Sequence, residues 1–239
     1  MHTGPAGKTP RNRLFLYSEP MRVSFLWPRV LLICVLWLWC VCMELLRARY
    51  TVEPLSANLR WNLILATVPL LCSSVMLRTA RQNRWWLTSL LLVIWLLFLP
   101  NAPYILTDLF HFQTRQTVPE WIDLAVLLTF AGAGLMLCYL SLTDVQTLVQ
   151  RKLGAKIGWA VACTALMLCG VGIYLGRYLR LNSWYVVTHP RHLFHKSLYR
   201  IGIDQTMPGL TEFTLVYGLG LITGYLALHV LLAAIRDPQ

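Results

Sequence analysis

Tyr104, Asp108 and His111 lie within one run, Asn101-Ala102-Pro103-Tyr104-Ile105-Leu106-Thr107-Asp108-Leu109-Phe110-His111. Residues three and four apart share a helix face, so Tyr104 with Asp108, Asp108 with His111, and Thr107 with His111 would be neighbours there. A carboxylate beside an imidazole can exchange protons, which makes Asp108 and His111 the candidate catalytic pair. The same two could be metal ligands, with Asp123 as a third, but two ligands at i, i+3 do not make a metal site and none is assigned. The plainer alternative is a hydrogen-bonded pair on a helix surface.

A second set is basic. Arg177 and Arg180 stand three apart in Gly176-Arg177-Tyr178-Leu179-Arg180-Leu181-Asn182-Ser183-Trp184, and Arg60 precedes Trp61 and Asn62. Guanidinium groups clamp phosphate or carboxylate by forked hydrogen bonds. Arg60, Arg177 and Arg180 would hold such an anion, with Asn62, Asn101, Tyr104, Thr107, Asp123, Asn182 and Trp184 around it. Alternatively the arginines snorkel to headgroups, or pair with Asp108 or Asp123 and fix helix register. Pro100 predicts the end or a kink of a helix, and Asn101 the N-cap of a new one with Pro103 in its first turn. The free N–H groups of such a helix start would favour an anion.

What must position these residues is a membrane. Six stretches, 30–43, 61–77, 85–107, 124–143, 157–176 and 213–235, contain no Asp, Glu, Lys or Arg. A spanning helix needs about 20 apolar residues, and lipid forces helices because every backbone N–H and C=O must be paired within the segment. The first stretch is short, but Trp27 and Pro28 extend it on one side, while Glu44 and Arg47 would snorkel on the other. Hydrophobic residues make up 57% of the 239 residues and charged ones 13%, and mean hydropathy is +0.56. Soluble domains carry about 25% charged residues, so a water-soluble protein is excluded. The predicted fold is all-α, an integral membrane bundle of about six transmembrane helices with a short interfacial helix at 101–112. Residues 1–26 read as a basic, disordered segment and 27–236 as the six-helix domain.

The net charge of +11 would suggest nucleic acid in a soluble protein. Here the basic residues flank the spans, so the lipid bilayer is the expected partner, with anionic headgroups and topology as the reasons for the charge. Arg78, Arg81 and Arg84 fall in one connection and Arg151, Lys152 and Lys156 in another. With the basic N-terminus, and with the long 177–212 connection discounted, they form the cytoplasmic side, which puts both termini in the cytoplasm. The N-terminal segment reads as an uncleaved signal anchor, with Met21 an alternative start. All seven cysteines fall in predicted spans and behave as small hydrophobes. Nothing in the sequence specifies a cofactor or an oligomeric state.

Helices of this topology would bring Arg60–Asn62, 101–111, Asp123 and 176–184 to the outer face. Trp85, Trp86, Trp121 and Trp184 sit near span ends, where amphipathic rings favour the interface. Ala131-Gly132-Ala133-Gly134, Gly172 with Gly176, and Gly220 with Gly224 predict close packing of spans four to six. His189, His192 and His195 could bind zinc if helical, but Pro190 spoils the repeat and a solvated loop is favoured. His229, the only ionisable side chain within the six stretches, reads as a histidine held between helices, or as a proton relay.

The runs Arg60-Trp61-Asn62-Leu63, Asn101 to His111 and Gly176 to Trp184 resemble the bacterial family named domain of unknown function 1361, over about residues 27–235. The resemblance implies a multi-pass membrane protein and assigns no activity. The family commonly has an acidic residue after the Asn-Ser-Trp run; Tyr185 stands there here, so no carboxylate role exists at that position. The reading that follows is an outer-face polar site that binds or processes an anionic lipid or lipid-linked group. A small transporter or channel, and a non-catalytic membrane assembly protein, are the alternatives.

Overall fold

The computed structural model describes residues 26–51, 59–112, 118–178 and 209–236. The expectations for residues 1–25, for Arg180, Asn182 and Trp184, and for the three histidines of the 189–195 run lie outside these described residues. The fold is all-α. Helices α1 (Leu26–Ala48), α2 (Leu59–Arg81), α3 (Trp85–Phe98), α4 (Asn101–Tyr104), α5 (Glu120–Leu153), α6 (Ala155–Arg177) and α7 (Leu210–Arg236) follow in order, with a 3-10 segment at Ile105–His111 between α4 and α5. Among the described residues, six helices are long and apolar enough to cross a membrane, α3 counting together with its continuation to Phe110. The bundle therefore has two ends: Asp108 lies at one, and Arg29, in the first turn of α1, at the other.

Helix α5 is the central element. At 34 residues it packs against α1, α2, α4, the 3-10 segment and α6, and α7 completes the bundle against α6. Its buried side includes Ile122, Val126, Phe130, Leu137 and Leu142. Its opposite side leaves Trp121, Leu128 and Met136 exposed, as a lipid-facing stripe should be. Trp61, Trp86 and Trp121 are exposed near helix ends, which suits amphipathic rings at an interface.

The expected end of a helix at Pro100 is found, α3 stopping at Phe98 and α4 starting at Asn101. However, Leu99 (φ −53°, ψ −42°) and Pro100 (φ −61°, ψ −22°) both remain right-handed helical, so the chain passes from α3 to α4 without leaving helical conformation. Asn101 is not an N-cap: it is the first residue of α4, and its Nδ2 donates to the Phe98 carbonyl (3.0 Å). The physical reason lies in the prolines, which lack the N–H that an α-helix needs. The chain tightens to three-residue bonds, with the Ala102 N–H donating to Leu99 O at 3.2 Å. That shift leaves the Phe98 carbonyl to be met by the Asn101 amide. The Ala102 N–H is thus taken by Leu99 O and Pro103 has none, so this helix start does not present the row of N–H groups that the sequence suggested for an anion.

Glycines seat this segment. A Cβ at Gly134 of α5 would run into the Ala102 carbonyl; one at Gly172 of α6 would lie 2.6 Å from Pro100 Cγ, and one at Gly176 3.2 Å from the Tyr104 ring. Close approach of α4 to both helices needs the missing side chains. Gly172 and Gly176 thus receive residues 100–104, whereas Gly224 meets Tyr139 and Gly218 meets Met167, bringing α7 close to α5 and α6.

Candidate functional site

Three elements bring a polar side chain each to one point. Asn62 lies in the first turns of α2, Asp108 in the 3-10 segment, and Arg177 at the last residue of α6. Arg177 Nη1 donates to Asp108 Oδ1 at 3.2 Å, and Asn62 Nδ2 lies 3.5 Å from Asp108 Oδ2. The ion pair is mostly sheltered, with side-chain exposures of 12% for Arg177 and 8% for Asp108. A charge so enclosed is stable only when paired and hydrogen-bonded, and here both conditions are met by residues from distant parts of the chain.

Around this pair, Thr107 is fully buried and donates to the Tyr104 carbonyl (2.7 Å), holding the 3-10 turn that presents Asp108. Tyr104 is seated on Gly176, next to Arg177. Aromatic rings flank the pair on the α6–α7 side: Tyr174, Tyr178, Phe213 and Tyr217 pack ring against ring, and exposed Phe110 meets Tyr217 edge-on at 6.2 Å. His111 follows in the same segment, and its side chain lies outside the described residues.

Two predicted members are held elsewhere. Arg60 Nε reaches Glu44 Oε2 of α1 at 3.0 Å with 71% of its side chain exposed, so it faces α1 in place of joining Arg177. Asp123 is 2% exposed and receives Arg47 Nε at 2.7 Å. Arg47 therefore does not snorkel; at 4% exposure it is a buried partner. The reason is that α5 begins beside the end of α1 with a carboxylate that water does not reach, and a buried carboxylate needs a cation more than an arginine needs the headgroups.

Sequence reasoning missed the polar cluster at the other end. Arg29 grips Asp144 of α5 through both terminal nitrogens (2.6 Å each), Ser73 donates to the same carboxylate at 2.7 Å, and Arg29 also donates to Ser74 at 2.9 Å. A readable signal existed. Arg29 and Arg47 are five helical turns apart on α1, hence on one face, and Asp123 and Asp144 are nearly six turns apart on α5. His229, by contrast, lies on α7 and packs against α6, its ring 5.1 Å from that of Trp159 on α6 and 4.6 Å from that of Tyr225 one turn earlier on α7.

A family model described as "Protein of unknown function (DUF1361)" matches residues 61–234. The match covers all three members of the converging site and both α5 aspartates, while α1 with Arg29 and Arg47 precedes it. No curated protein and no solved structure matches the chain.

Proposed function

We propose that this chain, which belongs to the DUF1361 family, binds an anionic lipid or lipid-linked group where Asn62, Asp108 and Arg177 converge, on the outer side of a bacterial inner membrane. The observation that carries this reading is the sheltered Arg177–Asp108 pair, built across α2, the 3-10 segment and α6 at the end of a membrane bundle. A guanidinium that already holds a carboxylate has the fork geometry for a phosphate. An incoming anion would exchange with Asp108 on Arg177, and Asn62 would orient it. Asp108, released from its partner, would then be poised to accept a proton, with His111 as its relay. Arg60 and Arg180 would add positive charge to the approach, and Asn101, Asn182 and Trp184 would border it. Asp123, tied to Arg47, would serve the site through helix position. The orientation rests on the basic N-terminus and the 78–84 and 151–156 connections facing the cytoplasm.

The test is native mass spectrometry of the chain purified from its membrane, with lipidomics of cells that hold or lack it. Arg177→Gln should lose co-purifying anionic lipid, and Asp108→Asn should keep the lipid yet abolish any conversion seen in the cells. Retention of the same lipid by Arg177→Gln, with unchanged size-exclusion behaviour, would overturn the reading.

A second reading is supported by the other pairs. Arg47–Asp123 and Arg29–Asp144 join helices in the same manner, so Arg177–Asp108 would be a third lock in a non-catalytic assembly protein. Loss of folded protein in Asp108→Asn, without any lipid change, would favour it.

A further inference from the structure

At the Arg29 end, two connections form one basic surface. The α2–α3 turn is tightly knit: Asn83 adopts a left-handed conformation (φ 56°), which asparagine tolerates better than most residues. The Arg84 N–H donates to Thr79 O at 3.0 Å, and the Thr79 and Thr88 hydroxyls share a 2.8 Å hydrogen bond across the turn. Trp85 Nε1 donates to Asn83 Oδ1 at 3.2 Å. Lys152, in the last turn of α5, lies over the Trp85 ring, and that cation–π contact joins the α5–α6 connection to the α2–α3 turn.

The joined surface presents Arg78, Arg81, Arg84, Arg151, Lys152 and Lys156, all exposed. Among the described residues the only carboxylate at this end is Asp144, and Arg29 and Ser73 enclose it. Six like charges on one small surface repel each other and attract anions. Their depth selects which anion. Exposed apolar side chains follow two of the basic ones into the bundle, Trp86 after Arg84 in α3 and Ile157 after Lys156 in α6. The cations therefore stand at the level where hydrocarbon gives way to phosphate, and a ligand with phosphates above and acyl chains below fits both parts.

From this juxtaposition we infer a second ligand site: the 78–84 turn and the 151–156 connection bind an anionic lipid of their own leaflet that carries two phosphates, one phosphate on each connection. The site is separate from the Asp108 end and does not depend on the function proposed there. Arg84 and Lys152 form its centre, since Trp85 lies between them.

The experiment uses the full chain in nanodiscs of phosphatidylcholine doped with cardiolipin, or with phosphatidylglycerol at equal phosphate, followed by native mass spectrometry of the ejected protein. Wild type should retain cardiolipin in preference to phosphatidylglycerol. Arg84→Gln with Lys152→Gln should weaken that retention by about tenfold or more, while Arg49→Gln, an exposed arginine at the Asp108 end, should leave it unchanged. Because Lys152→Gln also removes the Trp85 contact, Arg78→Gln with Arg81→Gln gives an independent reading and should weaken retention too. Equal retention of phosphatidylglycerol, displacement of cardiolipin by millimolar pyrophosphate, or full retention in both double variants would each overturn the inference.

Discussion

At the Asp108 end, arginines and carboxylates alternate and meet across helices: Arg47 with Asp123, Arg60 with Glu44, Arg177 with Asp108. At the Arg29 end, a single described carboxylate is enclosed and six cations face outward. The two ends of one bundle thus use the same residue types for different work. Where opposite charges are buried together, their energy goes into fixing which helix sits beside which. Where one sign is left on the surface, its energy is available to a ligand. Among the described residues, Arg177–Asp108 (12% and 8% exposed) and Arg29–Asp144 (13% and 9%) stand between the two cases, paired and sheltered but not fully buried.

The sharpest way to break this contrast is at its most buried pair. Arg47→Ala leaves Asp123 without its guanidinium in a site 2% exposed, and removal of one partner of a buried pair costs about 3–5 kcal/mol. Thermal unfolding in detergent should show the loss, and α1 should become accessible to cysteine labelling at Cys40, which is buried in the intact protein. A stability change as small as that of an exposed pair would mean that the two kinds of charge do not differ as described.

An intermediate effect is expected from the glycine seat. Gly134→Ala forces the Ala102 carbonyl away from α5 and should cost about 1–3 kcal/mol as an overpacked contact. It should also displace the segment that carries Asp108, lowering anionic lipid retention. Gly132→Ala, two residues earlier and with nothing within 4 Å, should be neutral or stabilising by up to about 1 kcal/mol through helix propensity. The difference between neighbouring glycines, read as melting temperature, separates packing from propensity.

The smallest effect belongs to Arg60→Gln. Its pair with Glu44 is 71% exposed on the arginine side, and exposed ion pairs contribute about 0–1 kcal/mol. Stability should stay nearly constant, and any drop in lipid retention would then report on charge at the approach alone.

Much of the fold was legible because lipid leaves few alternatives: uncharged runs of sufficient length become helices. The ends of those helices were not. The run 124–143 belongs to a helix that continues to Leu153, and the run 30–43 to one that includes both Arg29 and Arg47. In each case the limit was drawn at a charge, and the charge proved to be neutralised by a neighbour that hydropathy alone does not see. Of the site, the meeting of Asn62, Asp108 and Arg177 was legible from motifs that share a membrane face. The partners of Arg60, Asp123 and Asn101 (Glu44, Arg47, the Phe98 carbonyl) were not, since packing brings them together. The helical passage through Pro100 depends likewise on an amide that replaces a missing backbone donor.

The two arginines of α1 also act as a gauge. They are five turns, about 27 Å, apart, and their aspartates on α5 are separated by about 32 Å at the same rise per residue, so long side chains bridge the remainder. With both ends fastened, α1 cannot slide along its neighbour to suit the local hydrocarbon thickness. A bilayer of different depth would have to be met by tilt of the bundle or by deformation of the lipid, at a cost of a fraction of a kcal/mol per ångström of mismatch; the two salt bridges hold α1 at one height along α5.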